Sequence, residues 1–340
     1  MKVAALDVGT NTVRLLLGEV DGGRLTDHLR ETTITRLGLG VDQARRLDPD
    51  AASRTRVCLE RYATRVREFR PERSLLVATS VLRDAADGCA FLEGVEADFG
   101  LPWRIVTGEE EAALSFAGAA SGLPAGMGAG TLSGRAAMVA IDIGGGSLEL
   151  AVGPLAKPPS SANAGRSSLA VVPPGPSLPT PPASPSFARS LDVGVVRLTE
   201  RFFAHDPPTD EEWLTAQVLV RTTLDRAVPA EVRSSVGLAV GLAGTFTTLV
   251  AVKLELAVYD RAVVHGHRLT RDELTAAALR FRAMTSAQRG RLPGIQRGRE
   301  DVILAGVLLA AETLDLFEQR AVVVSEADLL DGIALSLAVD

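Results

Sequence analysis

Residues 7–18 read DVGTNTVRLLLG and residues 142–153 read DIGGGSLELAVG, and the two stretches align without a gap at a constant offset of 135 positions. In each, an apolar run ends in an aspartate, Asp7 or Asp142. A turn of small residues follows, and a largely apolar strand resumes and closes on glycine. Short apolar runs bounded by such turns predict β-strands, so each copy predicts a β-hairpin. A turn built from Gly, Thr, Ser and Asn lets backbone N–H groups converge on an anion. One unit present twice implies two homologous halves. Two such turns facing each other across a cleft would grip a phosphate chain from both sides, through Thr10, Asn11 and Thr12 in the first and Gly144, Gly145, Gly146 and Ser147 in the second. Arg14 follows the first turn, either as a phosphate contact or as a buried ion-pair partner, and its repeat counterpart is Glu149. Asp142 and Glu149 lie on opposite strands of the second hairpin and can reach one hard cation, for which magnesium is the natural guest. Asp7, facing the same cleft, would join through water.

Outward from the repeat, apolar strand-like runs (3–6, 13–17, 74–78, 137–143, 321–324) alternate with helical patterns (51–69, 110–120, 211–227, 270–285, 299–316), an α/β arrangement throughout. Thr270 with Glu273 forms a capping-box pattern. Residues 234–252 carry no charge for 19 positions, close to the roughly 20 that a membrane helix needs. Their glycines and threonines instead predict a buried strand, a tight turn and a helix start, with Gly244 and Thr245 where a helix N-terminus can receive an anion. Residues 154–190 hold ten of the 18 prolines, eight serines and no acid, and read as a Pro/Ser-rich disordered insertion.

The 340 residues make room for two packed domains, and with 46% hydrophobic content the chain is not a disordered tail. Net charge is −6, from 36 basic and 42 acidic side chains, so no overall positive field exists to draw nucleic acid or an acidic membrane surface. Cys58 and Cys89 have no partner spacing for zinc or redox chemistry. Reduced thiols, and an acid at position 7 before any stretch long enough for a signal peptide, predict a cytoplasmic protein. His265 and His267 flank Gly266 and read as a turn. Arg289, Arg291, Arg297 and Arg299 form a basic cluster, either a track for a polyanion or ordinary helix-flanking charge. Ser-His-Asp, P-loop and Rossmann motifs are absent.

The paired Asp-Gly hairpins, the Gly-Glu-Glu-Glu-Ala run at 108–112, the glycine turn at 241–245, and Pro293-Gly294 ahead of Arg299-Glu300-Asp301 together resemble the exopolyphosphatase and guanosine pentaphosphate phosphatase family. That family belongs to the actin, sugar-kinase and heat-shock-chaperone superfamily, and the chain resembles its short, two-domain form. The resemblance implies two ribonuclease-H-like (actin-like ATPase) domains, each with a mixed five-stranded sheet, and an active site in the inter-domain cleft. Domain I would comprise 1–120 plus 325–340, and domain II 121–324. Glu111 occupies the position that resembles the family's catalytic glutamate, which would orient and deprotonate water; Arg83 resembles its cleft arginine. The activity implied is removal of terminal phosphate from inorganic polyphosphate with Mg²⁺, or from guanosine pentaphosphate. A phosphate-binding nucleotide switch of little or no turnover stands as the alternative from another class, and homodimerisation is left open.

Overall fold

The computed structural model of the chain describes residues 1–123, 135–154 and 183–339, and gives two β-sheets with helices around and between them. In chain order the strands are β1 Lys2–Val8, β2 Thr12–Asp21, β3 Arg24–Ile34, β4 Arg73–Ala78, β5 Trp103–Ile105, β6 Ala137–Ile143, β7 Leu148–Pro154, β8 Phe187–Leu191, β9 Val236–Leu242, β10 Arg268–Thr270 and β11 Ala321–Val324. Helices of eight residues or more are α1 Pro49–Phe69, α2 Gly88–Phe99, α3 Gly108–Gly122, α4 Val195–Phe202, α5 Asp210–Ala227, α6 Ala243–Lys253, α7 Arg271–Arg282, α8 Ile303–Leu316 and α9 Leu329–Leu337.

The first sheet runs β3-β2-β1-β4-β5 and the second β10-β11-β9-β6-β7-β8. Apart from β10, the two orders are the same. Each begins as an antiparallel meander of three strands, and its first strand then pairs in parallel with β4 or β9, followed by β5 or β11. The repeat read in the sequence is therefore a repeat of topology. The second sheet has six strands rather than the expected five, because three residues just before α7 pair antiparallel with β11. α7 itself starts with the expected capping box, Thr270 and Glu273 each accepting from the other's backbone N–H.

Strand pleating decides which helices meet which faces. Ala4, Leu6 and Val8 pack with Leu59 and Tyr62 of α1, whereas Val3 and Ala5 on the opposite face pack with Leu114 of α3 and with Leu330 and Ile333 of α9. In the second sheet Val139 and Ile141 face a core shared with α5 and α8, while Met138 and Ala140 face Ala112 and Phe116 of α3. Helix α3 is thus held between the two sheets. Successive side chains alternate faces, so Asp7 and Asp142, each two residues beyond one of these alanines, come to the α3 side. α3 also meets α9 almost backbone to backbone: a Cβ on Gly118 would lie 1.8 Å from the Asp328 carbonyl oxygen, and one on Gly332 would lie 2.0 Å from that of Leu114. Only glycine fits at either position.

The uncharged stretch at 234–252 forms β9 and α6 as expected, and no helix among the described residues is long and apolar enough to cross a membrane. The composition-based insertion is shorter than its boundaries suggested. Residues 155–182 lie outside the described residues, but Phe187–Leu191 is strand β8, in register along β7 with Leu191 in the second core. A strand at a sheet edge needs only a few suitably alternating residues, and the surrounding prolines and serines mask them.

Candidate active site

A cleft of about 580 Å³ opens between the sheets. It is lined by Asp7, Thr10, Asn11, Thr12 and Arg14 from the first hairpin and by Asp142, Gly144, Gly145, Gly146 and Ser147 from the second. Glu111 of α3 and Gly244 and Thr245 of α6 complete the wall. The two turns touch: a Cβ on Gly146 would lie 2.7 Å from Thr10 Oγ1, and one on Gly145 would lie 2.8 Å from Thr10 Cβ. At the third turn Ala243 adopts φ 61°, a left-handed conformation costly for a residue with a Cβ.

Register sets the electrostatics. Asp7 stands directly opposite Arg14, and Asp142 directly opposite Glu149. Arg14 Nε donates to Asp7 Oδ2 at 2.7 Å and Nη1 to Asp328 at the start of α9, so Arg14 is a buried ion-pair partner that also lines the cleft. Burial raises the pKa of Asp7 despite Arg14. Its second oxygen, Oδ1, is buried without a hydrogen-bond partner. On the other hairpin, burial pushes the Asp142 carboxyl up to about 6; burial and the facing Asp142 push Glu149 up to about 8. Two serines steady this pair: Ser115 Oγ donates to Asp142 Oδ2 and Ser190 Oγ to Glu149 Oε1, each at 2.7 Å. Glu111 lies one helical turn before Ser115. Burial and Glu149 hold its carboxyl well above the usual range, and Arg83 pulls in the opposite direction.

Two expected residues stand outside the cleft wall. Glu149 is behind it, 2% exposed. Arg83 is not among the residues that line the cavity: its Nη1 donates to the Val106 carbonyl at 2.7 Å and lies 3.5 Å from Glu111 Oε2, which ties it to the glutamate. The basic cluster also divides. Arg289 is buried and donates to the carbonyls of Phe281, Met284 and Glu300, which makes it a structural tie. Arg299 lines the cleft against Gly244, and burial lowers its pKa to about 10. Arg291 and Arg297 are exposed. His265 takes part in a turn, with Gly266 at φ 79°; its ring bonds the Gly122 carbonyl and accepts from the Glu326 N–H.

Several residues in or behind the cleft wall escaped the sequence reading. Ser115 had a signal, since four residues after Glu111 on a helix means the same face. Arg30, Tyr259 and Asp328 had none, being single residues in segments whose pattern reports only strand, loop or helix start.

Residues 17–339 match the Ppx/GppA phosphatase family. Over 354 aligned positions the chain is 38% identical to exopolyphosphatase 2 of Mycobacterium tuberculosis, covering 99% of this chain and 98% of that protein. Among solved structures, the Aquifex aeolicus PPX-GPPA enzyme superposes with a TM-score of 0.76 at 30% identity, covering 99% of both chains. A crystallised exopolyphosphatase-like protein superposes with a TM-score of 0.82 at 29% identity, covering 98% of both. The repeated hairpins, the cleft between two like sheets and the carboxylate on the helix between them thus occur in a chain that matches this family along nearly its whole length: the protein is a member of the Ppx/GppA phosphatase family, with its two-domain, actin-like fold.

Proposed function

We propose that this phosphatase removes the terminal phosphoryl group of inorganic polyphosphate and releases orthophosphate. The observation that carries the reading is the placement of one buried carboxylate, Glu111, on a helix between two apposed anion-receptive turns. The turns hold the phosphate chain through backbone N–H groups and the hydroxyls of Thr10, Thr12 and Ser147. Glu111 orients the attacking water and takes its proton, a role suited to a carboxyl that burial makes more basic than an ordinary one. Arg14 and Arg299, from opposite halves, offset charge on the phosphoryl oxygens.

The cleft itself is not basic, since five carboxylates line it against four guanidiniums. A polyanion enters such a site most favourably with a cation. Among the described residues no group of three or more potential ligands is arranged to hold a metal ion unaided. The unpartnered Asp7 Oδ1 and the Asp142 carboxylate nevertheless fit Mg²⁺, which binds through one or two carboxylates and completes its shell with water and substrate phosphate. Asp7 and Asp142 would hold it, with Glu149 directly across from Asp142. When bound, it would offset negative charge on the phosphates.

One observation favours a second reading. Leu256, Ala257, Tyr259 and Ile295 form an apolar stretch of the wall that offers nothing to a bare phosphate chain and suits a nucleoside, as in guanosine pentaphosphate. Phosphate release from long-chain polyphosphate and from guanosine pentaphosphate, assayed side by side with and without Mg²⁺, separates the two. Release from neither would leave the nucleotide switch.

A further inference from the structure

We propose that Asp328, the N-cap residue of α9, is a positioning residue for Arg14: it limits the guanidinium to a single bond to Asp7 and keeps it turned to the cleft. The inference rests on Arg14 as a phosphate contact. Asp7 and Asp328 take different nitrogens of Arg14, Nε and Nη1, leaving Nη2 without a hydrogen-bond partner among the described residues. Asp328 uses both its oxygens. Oδ2 accepts from Arg14, while Oδ1 accepts from the Leu330 backbone N–H at 3.0 Å and lies 3.8 Å from Arg30 Nη1. Arg30 is itself fixed by Asp331 at 2.9 Å and Asp27 at 3.1 Å, so Asp328 is tied from β3 as well as from its own helix. Without Asp328 the nearest counter-charge for Arg14 is Asp7. A planar guanidinium free to pair bidentately with one carboxylate would then close over Asp7 Oδ1 and present less of its fork to a phosphate. The residue that sets Arg14 thus lies 314 positions away, on the helix that brings the chain's end back to the first sheet.

The chemistry of asparagine allows the cap and the latch to be separated. Asn is a good N-cap, but its amide has one acceptor oxygen. If that oxygen caps Leu330, the NH2 group faces Arg14 donor to donor. Asp328→Asn should therefore keep α9 and release Arg14, whereas Asp328→Ala loses both. The measurements are calorimetric binding of tripolyphosphate to the full chain, steady-state kinetics on polyphosphate, and thermal unfolding. Asp328→Asn is expected to weaken tripolyphosphate binding and raise KM by about fivefold or more, with kcat changed less than threefold and Tm close to that of the parent. Arg30→Gln, which loosens Asp328 and releases Asp331 but leaves the Asp328 bond to the Leu330 N–H in place, should move binding in the same direction by a smaller factor, and it serves if Asp328→Asn does not fold. Binding and KM within twofold of the parent in both variants would overturn the proposal and leave Asp328 a cap alone. If the parent binds tripolyphosphate but releases no phosphate from polyphosphate, the proposed function fails while the binding comparison still decides this point. If the parent binds no tripolyphosphate, both fall.

Discussion

Across the first hairpin Asp7 faces Arg14; across the second, at the same register, Asp142 faces Glu149. The first pair attracts, with Asp328 as a further counter-charge for Arg14, and leaves only Asp7 Oδ1 without a partner. The second pair repels, and directly opposed like charges destabilise a ladder. That cost is offset by serine hydroxyls, and burial raises both carboxyl pKa values, Glu149 further than Asp142 because the Asp142 charge faces it. One hairpin is therefore close to charge-complete, and the other is an unfinished pair whose repulsion a proton or a cation would relieve.

The largest effect should come from the helix that separates the two hairpins. Glu111→Gln is expected to lower turnover by about 10⁴-fold, equivalent to about 5.5 kcal/mol at the barrier, while tripolyphosphate binding persists. Near-normal turnover would remove the division of labour altogether. Next, Arg14→Met strands two buried carboxylates, and breaking a buried ion pair in this way costs about 3–5 kcal/mol, to be read from denaturant unfolding at pH 7. A loss below about 1 kcal/mol would mean that the first hairpin is no more satisfied than the second.

Glu149→Gln tests the unfinished side, since Gln can still accept from Ser190 but carries no charge. A glutamate raised from 4.5 to about 8 on folding binds more protons in the native state, so its unfavourable ionisation lowers stability as pH rises between those values. Parent Tm should therefore fall from pH 5 to pH 8, and the variant should fall less, gaining up to about 1 kcal/mol at pH 8. Mg²⁺ should raise the parent Tm more at pH 8 than at pH 5, because carboxylate ligands must first lose their protons. A Tm independent of Mg²⁺ at both values would count against the cation. The smallest effect is a control remote from both hairpins: Thr270→Ala, which removes one capping-box hydroxyl, should cost about 1 kcal/mol and leave turnover unchanged.

The comparison between hairpins was already legible in the sequence, because an ungapped repeat fixes which residues oppose each other once each copy is read as a hairpin. Helix starts were legible where a threonine precedes a glutamate by three. Relations carried by tertiary packing were not. Asp328 shows only as an acid before an apolar run, and its pairing with Arg14 depends on where α9 lands. Ser190 sits within a proline- and serine-rich context that hides strand β8. Arg83 carries the right charge in the right region, but its direction follows from the Val106 carbonyl, which no local pattern discloses.

The bare contact between Gly118 and Gly332 bears on how such a molecule can change over generations. Because α3 and α9 meet through main chain, the mount of Glu111 and the mount of the Arg14 counter-ion are one piece. Any side chain added at either glycine would tilt both mounts together, displacing Glu111 and Arg14 in a single step. Side chains in the loops and apolar rim around the cleft can change without meeting this contact, whereas a change at either glycine moves the central pair of helices as a unit.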